Sequence, residues 1–129
     1  MSTILVVDHG ATIRFALKTI LEEGGHEVVE AEQGAAALDL IGTQHLPDVV
    51  MTDLAMPILR GEDLIERLRS EAPTAAIPIV VVSGDAVKAW TLRASGLVDA
   101  VVAKPFDAAA LTRCVQAVAN RANSPSIVA

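Results

Sequence analysis

The sequence predicts an α/β protein: a doubly wound, five-stranded parallel sheet with five helices on its two faces. Three observations carry this. Short, β-branched apolar runs recur along the chain, and each is followed by apolar residues at helical spacing. The runs are apolar throughout rather than alternating with polar residues, as expected of strands buried on both faces. The connections are short, and strand–helix–strand units of this kind close right-handed into a parallel sheet.

The elements follow in order. Thr3 to Val7 is a β-branched run that ends on Asp8-His9-Gly10. Ile13, Leu17, Ile20 and Leu21 then repeat at helical spacing, with Arg14 and Lys18 on the other side, until Gly24-Gly25 stops the helix. Glu27 to Ala31 reads as the second strand. A helix from about Gly34 to Ile41 follows, with Ala35, Leu38 and Ile41 inward, and Gly42 and Pro47 punctuate. Asp48 to Thr52 is the third strand, ending on Asp53, and Pro57 and Gly61 mark the turn after it. Glu62 to Ser70 is a helix with Leu64, Ile65 and Leu68 as its stripe. Pro73 and Pro78 frame a loop before the fourth strand, Ile79 to Val82, which ends on Ser83-Gly84-Asp85. A helix through Val87, Trp90, Leu92 and Ala94 stops near Gly96. Asp99 to Val102 is a weaker fifth strand, leading into Lys104-Pro105-Phe106. The last helix runs from about Ala108 to Asn120, with Leu111, Val115 and Val118 inward. Five such units fit the flavodoxin-like strand order 2-1-3-4-5.

At 129 residues the chain reads as one domain over residues 1–121, with 122–129 as a tail or the start of a linker. No apolar run approaches the ~18 residues that span a bilayer, and Met1-Ser2-Thr3 lacks the features of a signal peptide. The lone Cys114 excludes an internal disulfide and suits a reducing, cytoplasmic setting. A net charge of -6 argues against direct nucleic-acid binding. His26 and His45 fall in loops, where solvated surface positions are expected.

In the order 2-1-3-4-5, the polar residues that end four of the strands converge on one edge: Asp8 and His9, Asp53, Ser83 and Lys104. A lone aspartate after a strand reads equally well as a turn cap. Four strand ends with polar residues do not. Two neighbouring carboxylates repel and call for a cation or a shared proton, and a hard divalent ion such as Mg²⁺ meets that need. Lys104 and the Ser83 hydroxyl add a positive charge and a donor, which suits a phosphoryl group on or beside Asp53. Neither a P-loop nor a dinucleotide fingerprint occurs, which disfavours nucleotide binding.

Val6-Val7-Asp8, Thr52-Asp53-Leu54-Ala55-Met56-Pro57, Val82-Ser83-Gly84 and Lys104-Pro105-Phe106 stand in the order and spacing of one family. Over roughly residues 3–121 the chain resembles the response-regulator receiver domains of two-component signalling, of the chemotaxis-regulator type. The resemblance implies that Asp53 is the phosphoacceptor, Ser83 the switch hydroxyl and Lys104 the phosphoryl contact. It implies Mg²⁺ held by Asp8, Asp53 and the backbone carbonyl of Ala55, and a cis peptide before Pro105. It further implies a sensor histidine kinase or phosphotransfer protein as donor, and a downstream protein met by the fourth helix, fifth strand and fifth helix. A phosphorylation-dependent homodimer is compatible with it. The chemistry is self-catalysed transfer to Asp53, so no enzyme acting on a metabolite is expected. A phosphatase using an aspartate nucleophile would want a second acid two residues after Asp53, where Ala55 stands.

Two positions depart from the family pattern. His9 replaces the second acid of the pair after the first strand, and imidazole suits softer metals than Mg²⁺. Three readings of His9 stand: a solvent-facing residue beside a weakened Mg²⁺ site, a partial substitute for the cation when protonated, or the mark of a phosphorylation-independent pseudo-receiver that works as an interaction module. Val101 occupies a position where many members carry an aromatic residue that swings with the switch hydroxyl.

Overall fold

A computed structural model describes residues 2–43 and 46–123. His45 and the tail from Ser124 lie outside the described residues. The elements are β1 (Thr3–Val7), α1 (Ala11–Glu23), β2 (Glu27–Ala31), α2 (Gly34–Thr43), β3 (Val49–Thr52), α3 (Gly61–Ser70), β4 (Ile79–Ser83), α4 (Ala86–Ser95), β5 (Ala100–Ala103) and α5 (Ala108–Asn123), with one 3-10 turn, Thr74–Ala76, before β4. All strand pairings are parallel and the order is 2-1-3-4-5, as the alternating pattern predicts.

The unbroken apolar runs are explained by two cores. Along β1, Leu5 and Val7 face one side with Val50, Ile79 and Val81, against α2, α3 and α4. Ile4 and Val6 face the other with Val49, Met51, Val80 and Val82, against Leu17 and Leu21 of α1 and Leu111, Val115 and Val118 of α5. Period-two alternation therefore persists, but both faces are covered by helices. Leu64, Ile65 and Leu68 of α3 are almost wholly buried, a contribution of about 2 kcal/mol each.

Several boundaries and faces differ from the sequence reading. β5 is Ala100–Ala103, one residue later than expected, because the Asp99 carboxylate is spent on the Ile79 N–H (2.8 Å) and on Arg69 (3.0 Å). α5 continues to Asn123, past the expected end near Asn120. On α2 the buried centre is Ala37 rather than Ala35. Gly34, Ala37, Leu38 and Ile41 stand at i, i+3, i+4 and i+7, and Ala35 lies off that stripe. α4 buries only Ala89, leaving Val87 78% and Trp90 63% exposed. At the end of α1, Gly25 takes the positive φ of 88° that glycine adopts without strain.

Candidate functional site

The site sits at the carboxyl edge of the sheet between β1 and β3, where the chain turns to β2 on one side and to β3 on the other. Ligands of open α/β sheets bind at such a switch point. Val7 and Thr52 are register partners, so Asp8 and Asp53 are the next residues on two neighbouring strands. The Asp53 N–H donates to the Val7 carbonyl (2.9 Å) and the Asp8 N–H to that of Ala31 (3.1 Å), which fixes both backbones. Ser83 ends β4 opposite Ala103 of β5, and the next residue, Lys104, donates its N–H to the Ser83 carbonyl at 3.0 Å. Its long side chain then reaches across β4.

There it meets both acids. Lys104 Nζ lies 2.8 Å from Asp8 Oδ2 and 3.3 Å from Asp53 Oδ2. Each carboxylate gives its other oxygen to a backbone donor: Asp8 Oδ1 accepts from Gly10 N–H and Asp53 Oδ1 from Leu54 N–H, each at 2.8 Å. Those bonds hold the rotamers that turn Oδ2 towards the ammonium. Asp8 is 3% and Asp53 9% exposed. Two buried carboxylates against one ammonium leave one negative charge uncompensated, and a buried charge in that condition favours a further cation.

The structure thus brings Asp8, Asp53 and Lys104 into direct contact. Ser83 is buried beside them, and its Oγ accepts the Asp85 N–H at 3.0 Å. Asp85 is the N-cap of α4, its carboxylate accepting the Lys88 N–H at 3.0 Å. The Ser83 hydroxyl is therefore tied to the first turn of α4. The peptide before Pro105 is cis, as the resemblance implies. Val101 is half-buried and packs on the α2–α4 core.

His9 is exposed, and among the described residues no three His, Cys, Asp or Glu side chains gather around a common point. Oxygen donors remain: the carboxylates of Asp8 and Asp53, with the backbone carbonyl of Ala55 as the third that the resemblance implies. This donor set fits Mg²⁺, which is held through one or two carboxylates and keeps several waters. It suits a nitrogen-preferring metal poorly.

His26 corrects an expectation. It is half-buried rather than fully solvated, its Nδ1 accepts the Ser2 N–H at 3.2 Å, and burial lowers its pKa from 6.5.

Three contributors escape the sequence reading. Arg14, placed on the outer face of α1, folds back onto the Asp8 carbonyl at 2.8 Å. Gly61 reads as a turn residue, but its role is steric. A Cβ there would overlap the Asp53 carbonyl oxygen and stand 2.7 Å from Leu54 Cα. Thr52 Oγ donates to that same Asp53 carbonyl at 2.8 Å. A glycine eight residues after an aspartate is visible in sequence, but the contact that requires it is not.

Comparison with known proteins agrees with the fold. The model of the response regulator receiver domain family matches residues 4–116. The chain is 36% identical to protein PilH of Pseudomonas aeruginosa over 121 residues, covering 92% of this chain and 98% of that one. It is 35% identical to a chemotaxis protein CheY homolog of Campylobacter jejuni, covering 80% and 81% respectively. The crystal structure of a response regulator receiver protein from Pseudomonas putida superposes with a TM-score of 0.80 at 33% identity, over 89% of this chain and 95% of the other.

Proposed function

The chain belongs to the response regulator receiver domain family, and from that premise we propose that it is a phosphorylation-controlled switch with Asp53 as phosphoacceptor. The observation that carries the proposal is the contact of one ammonium, Lys104, with both Asp8 and Asp53. A carboxylate oxygen of Asp53 attacks the phosphorus of a phosphohistidine on a kinase or phosphotransfer protein, or of a small phosphodonor. The bond from phosphorus to the donor breaks, the departing imidazole takes up a proton, and Asp53 becomes an acyl phosphate. Such a reaction needs positioning and charge neutralisation more than covalent help from the protein. Lys104 supplies a positive charge beside the incoming phosphoryl oxygens, and Ser83 keeps an O–H to donate to one of them. Mg²⁺, when bound by Asp8, Asp53 and the Ala55 carbonyl, supplies further neutralisation of the phosphoryl charge. The protein modifies only itself and turns over no metabolite.

Output follows from the tie between Ser83 and α4. When the Ser83 hydroxyl turns towards the phosphoryl group, the Asp85 N–H loses its acceptor and the first turn of α4 shifts. That helix exposes Val87 and Trp90, apolar side chains available to a downstream protein or to a second copy of the chain across α4, β5 and α5.

A pseudo-receiver that signals without phosphorylation is the second reading, favoured by the single observation that exposed His9 stands where the family pattern has an acid. Amide NMR decides between them. In the switch, acetyl phosphate with Mg²⁺ shifts the amides of Ser83–Leu92 in the wild type and leaves Asp53→Asn unmoved. Unmoved amides in both proteins overturn the switch.

A further inference from the structure

The loop Asp8-His9-Gly10 carries one acid of the site, and it is held from the side of α1 by a residue that touches neither Lys104 nor Asp53. Arg14 begins the second turn of that helix, and only 13% of its side chain is exposed. Its Nη1 donates to the Asp8 carbonyl at 2.8 Å, with a longer contact to the His9 carbonyl at 3.4 Å. Its Nε donates to Glu30 of β2 at 3.3 Å, and Nη2 lies 3.8 Å from Glu32. Lys18, one turn further along α1, adds a contact of 3.6 Å to Glu30.

A guanidinium is a rigid planar fork, able to serve a carbonyl on one edge and a carboxylate on another. Here it ties the backbone of the β1–α1 loop to the end of β2. Asp8 is consequently fixed on both sides of its backbone, by its N–H on Ala31 and by its carbonyl on Arg14. Only a fixed backbone keeps Asp8 Oδ1 on Gly10 and Oδ2 on Lys104 together. Pairing with Glu30 and Glu32 also offsets the charge of Arg14, so the fork orders the loop without opposing a cation at the carboxylates.

We propose that Arg14 is a positioning residue for the phosphoryl-transfer site, acting through the loop backbone to set the Asp8 carboxylate. The proposal rests on the reading of that site as one that takes Mg²⁺ and a phosphoryl group. Partners of this outer kind typically alter metal affinity by about 10–100-fold when removed.

The test uses the full chain as wild type, Arg14→Gln and Arg14→Lys. Three quantities are read: hydrogen exchange of the Gly10 amide against the β1 amides, Mg²⁺ affinity of the unphosphorylated protein, and the rate of phosphorylation by acetyl phosphate as Mg²⁺ is raised. In Arg14→Gln, Gly10 exchange accelerates while the β1 amides hold. The Mg²⁺ half-saturation point rises by about tenfold, with little change in the rate at saturating Mg²⁺. Arg14→Lys falls between, because an ammonium cannot reproduce the fork. If Arg14→Gln lowers thermal stability yet leaves Gly10 exchange and Mg²⁺ affinity as in the wild type, Arg14 is a structural tie and the proposal fails. If Arg14→Gln does not fold, Arg14→Lys bears the same comparison. A wild type that accepts no phosphoryl group refutes the functional reading alone, because the Gly10 comparison still decides the role of Arg14.

Discussion

Lys104 Nζ sits 2.8 Å from Asp8 Oδ2 across 96 residues of sequence, and the same ammonium lies 3.3 Å from Asp53 Oδ2. One cation thus serves two buried acids, which makes the three residues unequal in their effect on stability. Removing the cation leaves two carboxylates facing each other without compensation. Lys104→Met is expected to destabilise the fold by about 3 kcal/mol. Asp53→Asn removes the surplus negative charge and keeps the Lys104–Asp8 pair, so its stability should equal or exceed that of the wild type. Urea unfolding at low salt measures both.

The fold and the central acids were legible because both depend on short-range pattern. Unbroken β-branched runs announce two covered faces, and the parallel order brings the strand ends together wherever loops are short. The Ser83 hydroxyl was legible as a member of the edge but not in its present engagement with Asp85, which depends on a side-chain rotamer. Arg14 reads as an outer residue because helical spacing assigns faces and not the direction of a long flexible side chain. On α2 Leu38 and Ile41 face the core as expected and only Ala35 falls off the stripe, since the alanine-rich first turn carries little contrast between its sides. His9 is open in sequence because spacing sets its place at the end of β1 and not the direction of its side chain, which the structure leaves exposed.

His26 makes part of the stability pH-dependent. Burial holds its pKa below 6.5 in the folded protein, and Nδ1 must stay unprotonated to accept the Ser2 N–H. Above pH 6.5 the ring is neutral in both states and its contribution is complete. As pH falls through that value the unfolded chain binds the proton first, and the contribution is lost on the way to the lower folded pKa. His26→Gln keeps an acceptor without the titration. Its denaturation midpoint should fall less than that of the wild type on acidification, and equal losses would contradict the assignment.

Gly61→Ala should be among the most damaging single-methyl changes in the chain. Its Cβ has no room beside the Asp53 carbonyl and Leu54 Cα, and backbone cannot yield as a flexible side chain can. A cost of about 2–3 kcal/mol is expected for such overpacking. Because the shift falls on Asp53, the proposed phosphoacceptor, phosphorylation should slow as well. Chemical denaturation and the acetyl phosphate rate read the two effects separately.

Ile58 carries the opposite expectation. Its φ is 68°, the Leu59 N–H bonds back to the Pro57 carbonyl at 2.8 Å, and its side chain is 83% exposed. A β-branched residue in the left-handed region at the centre of a γ-turn is strained and gains little burial in return. Ile58→Gly, which takes a positive φ without a Cβ penalty, should raise stability by about 1 kcal/mol. A thermal melt showing no gain would place the strain elsewhere.

The most direct measurement is the intact mass of the purified protein after exposure to acetyl phosphate, with Mg²⁺ and with chelator, for the wild type and Asp53→Asn. A phosphoacceptor at Asp53 gives a single phosphoryl adduct on the wild type that depends on Mg²⁺ and is absent from Asp53→Asn. An unmodified wild type, or an adduct that persists in Asp53→Asn, would contradict it.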